Sequence, residues 1–130
     1  MPIDVGYDRK KNLVYVTVSG KVTLDEFGQA LERITASDEF SPDTPSIWDM
    51  RNFEFGMLDR EVMMEFIKVR ECYPQRDHAR VAVIVSSTLG YGMGRMYEMI
   101  TAVRSNPQRV STFRDLAEAE AWLAGDSDSA

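Results

Sequence analysis

The stretch ARVAVIVSS, residues 79–87, constrains the fold more than any other, because its apolar residues stand at consecutive positions with no polar alternation. A strand of this kind is covered on both faces, as happens when helices flank a largely parallel sheet. The segment therefore predicts an α/β fold with itself near the centre of the sheet.

The flanking segments complete the pattern. Period-two alternation in IDVGYD (3–8) and LVYVTVSG (13–20) predicts an antiparallel hairpin across the polar turn 8–12. In TLDEFGQALERITA (23–36), Thr23 caps a helix and Glu26 stands three residues on, the capping-box spacing that satisfies two otherwise unpaired backbone donors. Leu24, Phe27, Leu31 and Ile34 share one side of that helix. After a polar loop (37–45), SIWDMR (46–51) has strand length, and an irregular piece follows (52–58). Asp59 caps a second helix that runs to Tyr73 and stops at Pro74, with Val62, Met63, Phe66, Ile67 and Arg70 along its periodic stripe. Beyond the central strand, Leu89, Met93, Met96, Tyr97, Ile100 and Val103 recur at helical spacing until Asn106 and Pro107. RVSTFR (109–114) reads as the last strand. DLAEAEAWLAG (115–125) reads as a last helix, capped by Asp115, with Leu116, Ala119 and Trp122 or Leu123 inward. Residues 1–125 are thus expected to form one domain, and 126–130 a disordered tail.

This β-β-α-β-α-β-α-β-α order predicts a mixed sheet of about five strands, an N-terminal hairpin and about four helices. If each strand joins the same edge through a right-handed crossover, the helices gather on one face. The other face is then left open, although Val81, Val83 and Val85 point one way and Ala82 and Ile84 the other, so both sides are apolar. A large exposed apolar patch is uncommon on a monomer. The expected cover is the hairpin, the 52–58 segment, a second subunit or a hydrophobic ligand.

Composition narrows the function. At 130 residues, 44% apolar and 28% charged, the chain has the make-up of one soluble globular domain. No apolar run approaches the ~20 residues that span a bilayer, and the charged start lacks a signal region, so a cytoplasmic location is expected. A net charge of −6 argues against nucleic acid, which needs a concentrated basic surface; the basic cluster at 9–11 is short. Cys72 is the one cysteine, so no internal disulfide forms. With His78 six residues on, it could form a nucleophile pair, but no third group orients a base, and an ordinary thiol is the better reading.

Two motifs invite chemistry. In LGYGMGRM, Gly90, Gly92 and Gly94 suggest a phosphate cradle, but Arg95 stands where a dinucleotide fingerprint needs glycine, and the segment follows the fourth strand. No cofactor is expected. Gly90 and Gly94 are four apart on one helix face, which favours close contact with the sheet or a partner. Arg95 is then either a modest anion contact or part of an ion pair. Asp49 and Arg51 fall at a strand end, where open α/β sheets present ligand contacts; with no second carboxylate, histidine or metal-ligand cluster, Asp49 reads better as a loop-tying acceptor than as an acid or base. Six of the eight methionines fall in two helical regions, Met57, Met63 and Met64 in one and Met93, Met96 and Met99 in the other. Their flexible thioethers suit an irregular core, and also a hydrophobic groove or dimer seam.

Taken together, VYVTVSGKVTLDEF, SIWDMR, ARVAVIVSS, YGMGRMYE and FRDLAEAEAWL resemble the SpoIIAA-like bacterial family over nearly the whole chain. The resemblance implies a STAS-like βα superhelix, shared with CRAL-TRIO lipid carriers, in a small, often dimeric protein without established enzymatic activity. Anti-sigma-factor antagonists of this type present a phosphorylatable serine in a D-S-S-G turn. Here the region reads FGMLDREVM, with Asp59, Arg60 and Glu61 and no hydroxyl, so that switch does not carry over.

The expected function is a non-enzymatic regulatory or scaffolding module, homodimeric and open to a regulatory protein partner. The alternative is a carrier or sensor of a hydrophobic, lipid-like small molecule in a groove of Met63, Phe66, Met93, Met96 and Tyr97. Asp49, Arg51, Tyr91 and Arg95 are further ligand-contact candidates; no catalytic or metal-binding residue is expected.

Overall fold

Five strands lie side by side in the order in which the chain makes them, β1-β2-β3-β4-β5. The protein is seen in a computed structural model that describes residues 2–104 and 108–125. β1 (Ile3–Asp8) and β2 (Leu13–Gly20) form the expected hairpin, with Ile3 opposite Val18 and Asp8 opposite Leu13. Its turn follows from local chemistry. The Asp8 carboxylate accepts from the amides of Lys10 (3.0 Å) and Lys11 (3.1 Å), and Asn12 takes the left-handed conformation (φ 53°) that asparagine tolerates.

β3 (Ser46–Phe53), β4 (Val81–Ile84) and β5 (Val110–Phe113) each run parallel to the strand before. A parallel step requires a crossover, supplied in turn by α1 (Leu24–Ala36), α2 (Arg60–Glu71) and α3 (Thr88–Ala102). The caps of α1 and α2 are those the sequence predicts. Thr23 and Glu26 exchange bonds in a capping box, and the Asp59 carboxylate accepts from Val62 N at 2.9 Å.

Crossovers of one hand advancing to one edge bring α1, α2 and α3 to the same face. Ala30, Leu31, Ile34, Phe66 and Val69 pack there on Val14, Val16, Val18, Trp48 and Val81. The opposite face is not open, which corrects the expectation. α4 (Leu116–Leu123) lies across it, with Ala119, Trp122 and Leu123 against Leu13, Ile47, Ala82 and Ile84. The reason is topological: among the described residues no strand follows α4, so no crossover rule holds it to the face of the others. Its cluster replaces the covers expected from the hairpin, the 52–58 segment, a subunit or a ligand. At roughly 1.5–3 kcal/mol per fully buried aliphatic side chain, this packing is a substantial part of the fold's stability. The Glu120 carboxylate bolts α4 down, accepting from the Tyr15 hydroxyl (2.6 Å) and the Lys11 ammonium (2.9 Å). Beyond α4 this face carries polar groups, among them Thr17, Asp49 and Arg51.

The inward side of α3 also differs from expectation. Gly90, Gly94 and Thr101 are buried, whereas Leu89, Met99 and Val103 are 50%, 64% and 84% exposed. The helix presses its glycines on the sheet: a Cβ on Gly94 would stand 2.5 Å from Thr112 Oγ1, and one on Gly90 would stand 2.9 Å from Phe55 Cε2 and 3.2 Å from Val85 Cβ. Of the two readings of LGYGMGRM, close contact with the sheet is the one realised. The stop at Asn106 and Pro107 and the tail 126–130 lie outside the described residues.

Candidate functional site

A cavity of about 130 Å³ lies between the sheet and the three-helix layer, and its lining is overwhelmingly apolar. Val18, Trp48, Met50 and Val83 form its floor. Phe27 and Leu31 from α1, Met63 and Phe66 from α2, and Met93 and Tyr97 from α3 form its roof. Rigid rings explain why space remains. Phe27 meets Trp48 edge-on at 5.7 Å and Phe66 at 5.2 Å, an arrangement that holds the planes apart where aliphatic chains would interdigitate. The indole N–H of Trp48 donates to Ser46 Oγ at 3.1 Å and fixes the ring in place.

One end of the cavity is closed by aromatics, Phe53 and Phe55, whose rings meet at 4.9 Å just before α2 begins. The other end is polar. Arg70, Arg76 and Gln108 line it. The Arg70 side chain is 5% exposed, and its Nη1 donates to Asp77 Oδ1 at 2.5 Å. Arg76, 2% exposed, lies in a short 3₁₀ turn, Pro74–Arg76, and gives Nη1 to the carbonyls of Pro42 and Thr44, both at 2.7 Å. Burial pushes the Arg76 guanidinium down to about 10; Asp43 opposes that shift and Arg70 adds to it. Gln108 donates to the Arg76 carbonyl. Burial also pushes the Tyr97 phenol up, and its hydroxyl makes no hydrogen bond to a described residue.

Of the sequence-derived candidates, Met63, Phe66, Met93 and Tyr97 line this one cavity, and Met96 does not. Tyr91 stands apart, its ring beneath the Arg114 guanidinium at 4.7 Å. Arg95 takes the ion-pair alternative, 3.5 Å from Glu98 one helical turn on. Asp49 and Arg51 form a two-point pair (2.9 and 2.8 Å), whose hydrogen bond holds the Asp49 carboxyl below the usual range. By strand alternation this pair shares the face of Ile47, across the sheet from α3, so Asp49, Arg51 and Arg95 do not converge. Cys72 donates to the Lys68 carbonyl at 3.5 Å, not to His78. Among the described residues, no three His, Cys, Asp or Glu side chains stand close enough to hold a metal. Among them, too, no helix is long and apolar enough to cross a membrane.

The sequence reading missed Trp48, Arg70, Arg76 and Gln108 as site residues. Arg70 did leave a signal, since an arginine inside an apolar helical stripe must find a partner indoors. Arg76 and Gln108 left none, because each is placed by a loop.

No protein-family model matches the sequence, and no curated protein matches it. The fold does have solved counterparts. An uncharacterized protein of the DUF3478 family from Shewanella loihica, described as having a SpoIIAA-like fold, superposes with a TM-score of 0.62 at 18% identity, over 93% of this chain and 91% of that one. The fold is SpoIIAA-like. At that identity the likeness speaks to architecture alone.

Proposed function

We propose that this domain is a non-enzymatic binding module that takes a small hydrophobic molecule between its sheet and its three-helix layer. The cavity of about 130 Å³ carries the reading. It matches in scale an engineered apolar cavity of about 150 Å³ that holds benzene, and falls short of the roughly 300–1,000 Å³ of sites for drug-sized ligands. The ligand is therefore a single ring or a short chain, and carriage of a full-length lipid is not part of the proposal. The separation of Asp49 and Arg51 from Arg95 supports a binding role over catalysis. The test is a toluene titration followed through the methionine methyl signals. Saturable shifts at Met63 and Met93 support the reading; unchanged signals refute it.

The outward side of α3 favours a second reading, a module that pairs with another copy of itself. Leu89, Met96, Met99 and Val103 are spaced seven, three and four apart, the spacing of a helix–helix seam, and three of the four are exposed. Sedimentation at rising concentration checks it: a dimer that Met99→Lys dissociates supports this reading, and a monomer throughout refutes it.

A further inference from the structure

We infer that the outward stripe of α3 pairs two copies of this chain antiparallel, with Val103 of each copy seated over the partner's Gly92. The inference rests on the self-pairing reading and adds how the two copies meet.

The first observation is a glycine that its own chain does not explain. Gly90 and Gly94 are buried where α3 presses on the sheet, but Gly92 is exposed, and a Cβ built on it would meet nothing within 4 Å. Glycine inside an exposed helix lowers its stability relative to alanine. No close contact within the chain offsets that loss here. A missing side chain on a helix surface leaves a socket that another chain can approach closely.

The second observation is where the socket stands. Leu89, Gly92, Met96, Met99 and Val103 follow one another at intervals of three, four, three and four, so Gly92 falls in register within the apolar stripe. Val103, the C-cap of α3, is 84% exposed, more than any other large apolar side chain among the described residues. One helix thus carries a protruding knob and an empty socket, separated by roughly 16 Å along its axis. A two-fold axis midway between them brings each knob over the other copy's socket and sets Met96 against the partner's Met99. Such mutual fit is what an interface between identical chains requires, and it argues for a second copy over an unrelated partner.

Direction follows from shape and charge. Parallel pairing would set Gly92 against the partner's Gly92 and leave the gap unfilled. α1 carries Asp25 and Glu26 in its first turn and Arg33 in its last, and α2 carries Glu61 and then Lys68 and Arg70. α3 has no acidic residue in its first turn and no basic one in its last. An antiparallel partner lays the opposite end of its own dipole beside each of these ends. Arg95, which flanks the stripe, is already paired with Glu98 at 3.5 Å and brings no uncompensated charge to the seam.

The experiment uses the full chain carrying Cys72→Ser, with either Gly92→Cys or Val103→Cys added. Both added thiols stand at exposed positions, so the core is untouched. Oxidised as a mixture, the two variants are expected to give a covalent dimer on a non-reducing gel; oxidised separately, they are expected to stay single chains. Covalent dimers of either variant alone, at the yield of the mixture, make the helices parallel and overturn the inference while leaving self-pairing intact. A parent chain that sediments as a dimer, with no covalent dimer in any sample, moves the interface off α3 and also overturns it. A parent that sediments as a monomer throughout refutes self-pairing and the inference together. Gly92→Ala adds a second readout. It strengthens a lone helix, yet its methyl group fills the socket and is expected to weaken the dimer about tenfold in sedimentation. An unchanged dissociation constant overturns the socket.

Discussion

The two faces of the sheet are built from the same residue types and behave differently. On the α4 face, Leu13, Ile47, Ala82 and Ile84 meet one short helix and line no part of the cavity. On the other, three longer helices meet a wider field of Val, Trp and Phe side chains and leave about 130 Å³ unfilled. Apolar content does not decide which face is solid. The shape of the groups does: alanine and branched aliphatics close up, whereas edge-on rings and flexible methionines bridge a gap.

The largest expected effect breaks the solid face. Ile84→Ala should lose about 2–5 kcal/mol in urea unfolding, because the well-packed surroundings cannot collapse onto the space left. Val83→Ala, one residue along but facing the existing cavity, should lose less; equal losses would erase the contrast. Next is the seam where α3 touches the sheet. Gly94→Ala should cost about 1–3 kcal/mol through the clash with Thr112, whereas Gly92→Ala, which meets nothing within 4 Å, should stabilise by about 0.5–1 kcal/mol. Thermal unfolding of the pair reads both signs at once. Smaller still is the effect of partly filling the gap: Val18→Ile should change stability by less than about 1 kcal/mol and yet weaken toluene binding in the methyl titration.

The smallest effect concerns the bolt beneath α4. Hydrogen bonds from Tyr15 first and Lys11 second hold the Glu120 carboxyl below its ordinary 4.5. The unfolded chain therefore takes up that proton first. The stability Glu120 adds is whole above pH 4.5 and is lost as pH falls through its lowered folded value. Urea midpoints measured from pH 6 to pH 3 should fall less steeply in Glu120→Gln than in the parent chain. Parallel slopes would detach the bolt from stability.

The strands and three of the caps were legible in the sequence because each depends on neighbours within a few residues. ARVAVIVSS announced its double cover, and Thr23 with Glu26 announced its box. The side taken by α4 was not legible, since alternation in Val81 to Val85 says that both faces are covered and not by what. Nor was the facing of α3, where large apolar residues at helical spacing were read as core and the buried positions proved to be Gly90 and Gly94. Hydrophobic patterning weighs side chains, so it cannot register a contact made by having none. For the site, Met63, Phe66, Met93 and Tyr97 were found through their helical spacing, while Arg76 and Gln108 come from loops whose course no local pattern reports.

The strand order has a consequence for synthesis. Because every ribbon is laid beside the one made just before it, a chain emerging from the ribosome always has a finished edge waiting for its next segment. Assembly can advance across the protein in one direction, without any early piece having to wait for a distant late one.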